Sequence, residues 1–287
     1  MNRNDLCWCG SGLKYKKCHA AIDERIARYA HEGCDVPIRE MLKSRAQIDG
    51  IRESGKRNAA VLDEVAARIR PGMTTAEIDR IVDETTRKLG GVPAPLGYQG
   101  FPKSVCTSVN DQVCHGIPSE EDVLEEGDIV NVDVSTIFGG FYSDSSRMFL
   151  IGQVDPEARR LVEVARECVQ RGCEAVKPWG FLSDMARAVS RCAEENGYSI
   201  VREIGGHGVG VEFHEDPWVG YTEPAEQGLL LVPGFVFTIE PMVNMGDPDI
   251  FCDSDNGWTI YTDDGLPSAQ WEVTIAVTDN GYEILAW

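Results

Sequence analysis

The stretch Asp128-Ile129-Val130-Asn131-Val132-Asp133-Val134 has the alternation of a β-strand, yet it carries the carboxylate of Asp133 near its centre. Asp is depleted in strands, so a carboxylate in this position needs a chemical reason. Asp144 follows after ten intervening residues, which include the turn-forming Phe138-Gly139-Gly140. We therefore expect a hairpin that brings the carboxylates of Asp133 and Asp144 together.

Three further side chains stand in comparable places downstream. Glu240 ends an apolar strand-like stretch and precedes Pro241, which stops ladder pairing, and Glu272 opens another apolar run. His207 lies in the glycine-rich segment 205–210, where the backbone can pass close to another group. Four carboxylates and one imidazole form an oxygen-rich set with one nitrogen, which suits two divalent transition ions.

Seven short motifs, in the same order and with matching intervals, resemble those of the type I methionine aminopeptidases. They are GY (97–98), FPKSVC (101–106), VCHGIP (113–118), GHGVG (206–210), FHE (213–215), TIEPM (238–242) and SAQ (268–270). The resemblance covers about residues 43–287. Only 25 residues separate His214 from Glu240, which leaves no room for the long helical insertion of the type II enzymes.

The predicted fold class is α+β. A helical period runs from Ile48 to Ile69, a capping box at 74–77 opens a second helix, and two more helices begin near Pro156 and Ser183. Short strands follow each helix pair, which favours a domain built from two similar halves. The resemblance implies the pita-bread fold, in which a curved antiparallel sheet is backed by helices.

The resemblance also implies how the five ligands are shared. Asp133 and Asp144 would hold one ion, His207 and Glu240 the second, and Asp144 and Glu272 would bridge both. A water between the ions would be the nucleophile, because two cations lower its pKa and hold it against the substrate carbonyl. Fe²⁺, Mn²⁺, Co²⁺ and Zn²⁺ all fit this donor set.

Further roles come from the same resemblance. Glu240 would pass a proton from the attacking water to the leaving amine, His214 would stabilise charge on the scissile carbonyl, and His115 would contact the amide nitrogen or the intermediate. The apolar pocket for methionine would be lined by Tyr98, Phe101, Cys106, Phe213 and Trp258, together with His115 and His214. We expect neither Cys106 nor Cys114 to act as a nucleophile.

A monovalent-cation site is a further expectation. Asn110 and Ser268 resemble positions that contribute to such a site in relatives. Gln112 departs from the small apolar residue usual there, although its main-chain carbonyl would serve equally.

The N-terminal residues 1–20 form a separate unit. Cys7, Cys9, Cys18 and His19 have the spacing C-x-C-x8-C-H, with the tight turn 10–12 between the two ligand pairs, and would close a tetrahedral structural zinc site. So short a segment needs a metal to hold it together. The string resembles the SEC-C motif, best known from the bacterial protein-translocation ATPase. Leu6 and Trp8 replace its usual prolines, which alters the exposed face but not the ligands.

Charge separates this unit from the rest of the chain. Residues 1–30 contain six basic and three acidic residues, a net charge of +3. Since the whole chain has a net charge of −20, the remaining residues carry a net charge of −23. The acidic body argues against binding to nucleic acid by the catalytic part, and we expect no specific DNA partner. The basic N-terminal unit could still contact RNA, and ribosome docking is one hypothesis for it. A stabilising cap without a partner is the alternative.

Composition favours a cytoplasmic protein. The chain of 287 residues has ten cysteines, no apolar segment at its start and no run of 18 apolar residues, so we expect reduced thiols, no secretory signal and no membrane partner. We divide it into the zinc-binding motif 1–20, a charged connector 21–42 and a catalytic domain 43–287, and expect a monomer.

The predicted function is cotranslational removal of the initiator methionine from nascent chains whose second residue is small. Two alternatives stay open. A proline-specific peptidase of the same fold would share the ligands, although this chain lacks the large N-terminal domain of those enzymes. A pita-bread protein kept as a binding module would usually have lost metal ligands, and here all five are present.

Overall fold

The computed structural model describes residues 1–223 and 226–287. The α-helices of these residues are α1 (Ala20–His31), α2 (Arg45–Arg68), α3 (Thr75–Lys88), α4 (Pro156–Ala175) and α5 (Leu182–Glu195). The strands are β1 (Val92–Pro93), β2 (Cys106–Val109), β3 (Gln112–Cys114), β4 (Ile129–Phe138), β5 (Phe141–Leu150), β6 (Ser199–Ile200), β7 (Gly206–Gly208), β8 (Glu215–Val219), β9 (Val236–Ile239), β10 (Met242–Asn244), β11 (Ile250–Cys252), β12 (Ile260–Thr262), β13 (Ser268–Gln270), β14 (Val273–Thr278) and β15 (Gly281–Ala286). The strand pairs are antiparallel, and the predicted α+β class is confirmed.

The helices start where the sequence predicts. At the start of α3, the Thr74 hydroxyl accepts from the Glu77 amide and the Glu77 carboxylate accepts from the Thr74 amide, which is the predicted capping box. At the start of α4, the carboxylate of Asp155 accepts from the Glu157 amide at 2.8 Å, and Pro156 occupies the first turn. The two helix pairs, α2–α3 and α4–α5, each precede a group of strands.

The predicted hairpin is formed by β4 and β5. Its register places Asp133 opposite Ser146 and Asp144 opposite Ser135, so the two carboxylates lie two residue pairs apart on one ladder. Side chains two residues apart on a strand point to the same face, and Asp133 therefore shares a face with Ser135 and with Asp144. The hairpin builds one wall of a site.

The second wall is a five-stranded sheet with the order β15-β14-β9-β7-β8. Strands β9 and β14 pair with Ile239 opposite Val273, which places Glu240 and Glu272 at neighbouring strand ends. His207 lies on β7, which pairs with β9 through Gly208 and Phe237. The three ligands of this half are therefore set by three adjacent strands.

The N-terminal region packs against the rest of the protein. Trp8, Ile22, Ile26 and Tyr29 are partly buried against the large core cluster formed by α4, α5 and the second sheet. After the connector, the Lys43 amide donates to the Gly234 carbonyl at 2.7 Å. Across the ranges that the structure describes, no helix combines the length and apolar character that a bilayer crossing requires.

Candidate active site

One cavity of about 400 Å³ collects the side chains that the sequence singles out. The twelve predicted ligands, catalytic residues and pocket residues all line it: Tyr98, Phe101, Cys106, His115, Asp133, Asp144, His207, Phe213, His214, Glu240, Trp258 and Glu272. The five predicted ligands come from the two walls described above, and the other residues come from β2 and from the segments between strands.

The four carboxylates lie close together and away from water. Glu272 is 1% exposed and Asp144 4%, while Oδ1 of Asp133 and Oε2 of Glu272 are buried with no hydrogen-bond partner among the described residues. A buried carboxylate oxygen without a partner costs several kcal/mol unless it is protonated or bound to a cation. These orphaned oxygens are the kind of ligand atoms that a divalent ion would satisfy.

The pKa values of these groups are shifted in the same direction. Burial, reinforced by the charge of Glu240, raises the pKa of Asp133 to about 7. Burial, followed by the charge of Asp144, raises the pKa of Glu240 to about 8, and burial also raises the pKa of Asp144 and Glu272 well above the usual range. Bound dications would favour the ionised forms and reverse these shifts.

His207 is oriented to offer a lone pair to a cation. Its Nδ1 lies 2.9 Å from the Gly208 carbonyl, and we assign the proton to Nδ1 because a carbonyl can only accept. Nε2 then carries a lone pair that faces Asp144 Oδ2 and Glu240 Oε1, each at 3.7 Å. A lone pair facing two carboxylates is repulsive unless a carboxyl proton or a cation lies between them. Ligand atoms of Asp144, His207 and Glu272 lie within 4.8 Å of one another, which fits a shared ion.

Neighbouring polar groups hold the ligands in place, and sequence reasoning did not single them out. Thr238 Oγ1 donates to Glu240 Oε1 at 2.6 Å, and Gln270 Nε2 donates to Glu240 Oε2 at 3.1 Å. Ser135 Oγ donates to Asp144 Oδ1 at 2.8 Å. Thr238 and Ser135 each lie two residues from a ligand, so the strand period could have identified them.

The apolar part of the cavity is lined by aromatic rings. Tyr98 packs against Phe213 with ring centroids 4.8 Å apart and stacks on His214 at 5.0 Å, and Phe101 meets Trp258 edge-on at 5.1 Å. The buried thiols of Cys106 and Cys114 lie nearby, and burial raises the pKa of both well above the usual range. Both thiols are therefore protonated, which opposes a nucleophilic role.

The two non-ligand histidines are neutral. Burial lowers the pKa of His115, and burial together with His207 and His115 lowers the pKa of His214 to about 3. A neutral imidazole keeps one N–H donor and one acceptor nitrogen. His115 also adopts a left-handed backbone conformation with φ of 56°, which is uncommon outside glycine and frequent at functional sites.

The cavity has further lining residues that sequence reasoning missed. They are Pro95, Gln99, Ser135, Gly205, Gly206 and Trp218. Gly205 and Gly206 stand in the glycine-rich segment around His207, and that motif was a usable signal. Trp218 has no local pattern that separates it from an ordinary exposed strand residue.

The residues expected at a monovalent-cation site lie on neighbouring strands and their turns. The Ser268 amide donates to the Asn110 carbonyl at 2.9 Å, and the Asn110 side chain donates to Asp128 Oδ1 at 2.8 Å. The Gln112 side chain accepts from the Val109 amide at 2.9 Å, so its main-chain carbonyl is the group it would offer. This site stays a prediction.

The four predicted zinc ligands of the N-terminal motif also converge. His19 Nδ1 lies 3.1 Å from Cys7 Sγ and 3.2 Å from Cys18 Sγ, and Cys9 Sγ lies 3.5 Å from Cys18 Sγ. Tetrahedral zinc with bonds of about 2.0–2.3 Å places its ligand atoms about 3.5–3.8 Å apart, close to these values. Burial lowers the pKa of His19, so its ring is neutral as a metal ligand requires.

Comparisons with known proteins agree with this geometry. Residues 49–279 match the model of metallopeptidase family M24, and residues 3–21 match the SEC-C motif. The chain is 47% identical over 244 residues to methionine aminopeptidase A of Synechocystis, covering 85% of this chain and 96% of the relative. It is 41% identical over 290 residues to the methionine aminopeptidase of Chlamydia pneumoniae, covering 99% and 98%.

A solved structure gives the same result for the fold. The crystal structure of methionine aminopeptidase from Rickettsia prowazekii superposes with a TM-score of 0.84 at 39% identity. The superposition covers 86% of this chain and 99% of the other. The pita-bread architecture expected from the motifs is therefore confirmed.

Proposed function

The chain belongs to metallopeptidase family M24, within its methionine aminopeptidases, and from this membership we propose how its own residues perform the reaction. The enzyme is a metal-dependent hydrolase that removes an N-terminal methionine. We propose that it acts cotranslationally, on nascent chains whose second residue is small. The observation that carries the proposal is the five-ligand set beside an aromatic pocket in one cavity.

Two divalent ions would be held by the five ligands. Asp133 and Asp144 would bind one, His207 and Glu240 the other, and Asp144 and Glu272 would be shared. When bound, the ions lower the pKa of a water molecule and polarise the scissile carbonyl. The orphaned oxygens of Asp133 and Glu272 and the lone pair of His207 support the binding of cations by these residues.

Glu240 would move the proton. Thr238 and Gln270 each donate a hydrogen bond to its carboxylate, which fixes its orientation at the cavity wall. From this position Glu240 takes the proton of the attacking water and transfers it to the amine of the departing chain. Neutral His214 donates its N–H to the carbonyl oxygen as negative charge develops there, and His115 contacts the amide nitrogen.

The side chain of methionine would occupy the aromatic part of the cavity. A thioether packs well against aromatic faces and a protonated thiol, which Tyr98, Phe101, Cys106, Phe213 and Trp258 provide. The scissile bond then lies beside the carboxylate cluster. The rest of the bound substrate chain extends out of the cavity through its open side.

Release of amino acids from two peptides tests the proposal. With anaerobic Fe²⁺, Mn²⁺, Co²⁺ or Zn²⁺ supplied in turn, we expect methionine from Met-Ala-Ser and no cleavage of Ala-Pro-Ala. Glu240→Gln should bind metal, measured by calorimetry, but lose most turnover. Near-normal turnover of Glu240→Gln would contradict the proton transfer assigned to Glu240, and cleavage of Ala-Pro-Ala alone would favour a proline peptidase.

We further propose that the N-terminal motif binds one structural Zn²⁺ and docks the enzyme on the ribosome. The ligand distances support the zinc site. The side chains of Lys14, Lys16 and Lys17 are exposed, and Lys14 pairs through a β-bridge with the exposed Leu6, so the motif presents a basic surface. Such a surface fits the phosphates of rRNA.

A charge-reversal variant of the full chain tests the docking. Replacing Lys14, Lys16 and Lys17 by Glu should reduce co-sedimentation with ribosomes at moderate salt. The matched control carries the same change at Lys56, Lys88 and Arg159, which are exposed on the body. Equal co-sedimentation of both variants and the wild type would contradict the docking and favour a cap without a partner.

The remaining assignments are proposals of the same kind. We propose a cytoplasmic monomer divided into the motif 1–20, the connector 21–42 and the catalytic domain 43–287. The ten cysteines form no disulfide in the described residues, which supports a reducing compartment. Light scattering of the purified enzyme measures the oligomeric state.

A further inference from the structure

Trp218 is an aromatic residue of the cavity wall that stands apart from the methionine pocket. Its side chain is 59% exposed, whereas Phe101 is 3% and Phe213 8% exposed. Buried rings mark the closed end of the cavity, and an exposed ring on the same wall marks its open end. Trp218 therefore lies where a substrate chain would leave the site.

The sheet register fixes the distance of Trp218 from the reaction centre. Strand β8 is the edge strand of its sheet, and Trp218 is the direct cross-strand partner of His207 on β7. Cross-strand partners project from the same face with Cβ atoms about 5 Å apart. An extended peptide advances about 3.3 Å per residue. Trp218 therefore lies one to two substrate residues beyond the scissile bond, which is next to the metal ligands.

Two glycines leave the space in which the indole of Trp218 packs. A Cβ atom on Gly205 would lie 2.9 Å from Trp218 Nε1 and Cε2, and one on Gly220 would lie 2.7 Å from Cη2. Real Cβ contacts are not that short, so the ring lies against both backbones in space that only glycine leaves. The ring is thus held in position by packing while its outer face remains open to solvent.

We propose, on the basis of the proposed function, that Trp218 binds the third residue of the substrate. An open indole face attracts groups that stack on it, namely aromatic rings and the guanidinium group of arginine. The first residue fills the aromatic pocket and the second follows the scissile bond, so the third is the residue that reaches Trp218. The enzyme therefore favours chains with Phe or Arg at this position over chains with Ser.

Steady-state kinetics on three peptides test this inference. For the wild type, kcat/KM for Met-Ala-Phe and Met-Ala-Arg should exceed that for Met-Ala-Ser by about three- to tenfold. The ratio should fall to near one in Trp218→Ser, with the change carried by KM, and Trp218→Phe should restore most of it for Met-Ala-Phe. If only the Phe peptide or only the Arg peptide shows the effect, the ring prefers that class.

Two more variants separate contact from structure. Gly220→Ala keeps the indole but displaces it, and should reduce the ratio as well. Phe251→Ala removes another exposed ring, which is not among the residues that line the cavity, and should leave the ratio unchanged. Equal losses for all three peptides in Trp218→Ser, or an unchanged ratio, would overturn the inference. Failure of the wild type to cleave any of them would contradict the proposed function itself.

Discussion

Lys43 and Glu215 form a buried ion pair across 172 residues of sequence. The Lys43 side chain is only 2% exposed, and the second oxygen of Glu215 accepts from the amides of Val211 and Glu212 at 2.7 and 2.9 Å. These amides belong to the loop that carries Phe213 and His214 into the active site. One lysine directly after the connector thus fixes the loop on which two predicted substrate contacts depend.

Removing Lys43 should therefore damage both stability and activity. Lys43→Met leaves the carboxylate of Glu215 buried without its partner, which costs about 3–5 kcal/mol of the free energy of unfolding. The loop then relaxes, so kcat/KM for Met-Ala-Ser should fall as well. Urea unfolding and methionine release measure the two effects.

The double variant Lys43→Met/Glu215→Gln is the control for this prediction. A neutral amide can keep part of the bonding to the loop amides and carries no unpaired charge, so the double variant should be more stable than Lys43→Met alone. Equal stability of the two variants would show that the pair is not electrostatically coupled. Arg68→Met breaks an exposed pair with Glu64 and should change stability by less than about 1 kcal/mol.

The metal-free enzyme should lose stability as pH rises from about 7.5 to 8.5. In the folded protein Asp133 keeps its proton up to a pKa of about 7 and Glu240 up to about 8 because both are buried. In the unfolded chain both carboxyls ionise near pH 4. The folded state therefore binds more protons in this window, and its free energy of unfolding falls with pH by up to about 1.4 kcal/mol per unit for each proton.

The titration of histidines does not change this pH dependence of the free energy of unfolding. The pKa values of His115, His207 and His214 are all lowered by burial, so these rings are neutral in the folded protein, and above about pH 7.5 they are neutral in the unfolded chain as well. Saturating Mn²⁺ should raise Tm and flatten the slope, since bound ions keep the carboxylates ionised. Scanning calorimetry with and without metal makes the comparison, and identical slopes would contradict a preformed dimetal site.

His214→Ala should lower kcat about 10²- to 10³-fold and change KM much less. The neutral ring is predicted to donate a hydrogen bond to a carbonyl oxygen that becomes negative only during the reaction. Because its pKa is about 3, protonation of His214 should not produce the acid limb of the pH–rate profile. A KM increase with unchanged kcat would instead assign His214 to substrate binding alone.

Much of the site was predictable because each ligand carries its own local signal. Asp133 interrupts a strand, Glu240 precedes a proline, and His207 lies among glycines. The structure brings these side chains into one cavity as expected. The periods of the helices and strands indicate two similar halves but do not say how their sheets meet. The pita-bread fold was therefore predicted from the ordered motifs and their resemblance to a known family.

The missed features depend on contacts that local patterns do not encode. The position of the Trp218 ring depends on the space left by Gly205 and Gly220. It also depends on the register shift after His207, which sets where β8 lies. Tyr221, which accepts a hydrogen bond from the Glu240 amide at 3.0 Å, is equally invisible as an ordinary buried aromatic residue. Register and packing between distant strands decide all of these positions.

The N-terminal motif should need its zinc ion to stay folded, whereas the structure of the catalytic cavity should not depend on that zinc ion. Cys18→Ser removes the ligand that contacts both Cys9 and His19, so bound zinc should fall from about one ion per chain towards zero in a colorimetric release assay. Trp8 lies 4.4 Å from the His19 ring and packs on the protein core, and loss of zinc should change its fluorescence and lower Tm. Turnover of Met-Ala-Ser should stay within about twofold, because none of the cavity residues belongs to the motif. Ser11→Ala removes a contact to the Cys18 sulfur and one to the Leu13 amide but no ligand, so it is the matched control and should keep its zinc. Full zinc retention in Cys18→Ser would contradict the four-ligand assignment.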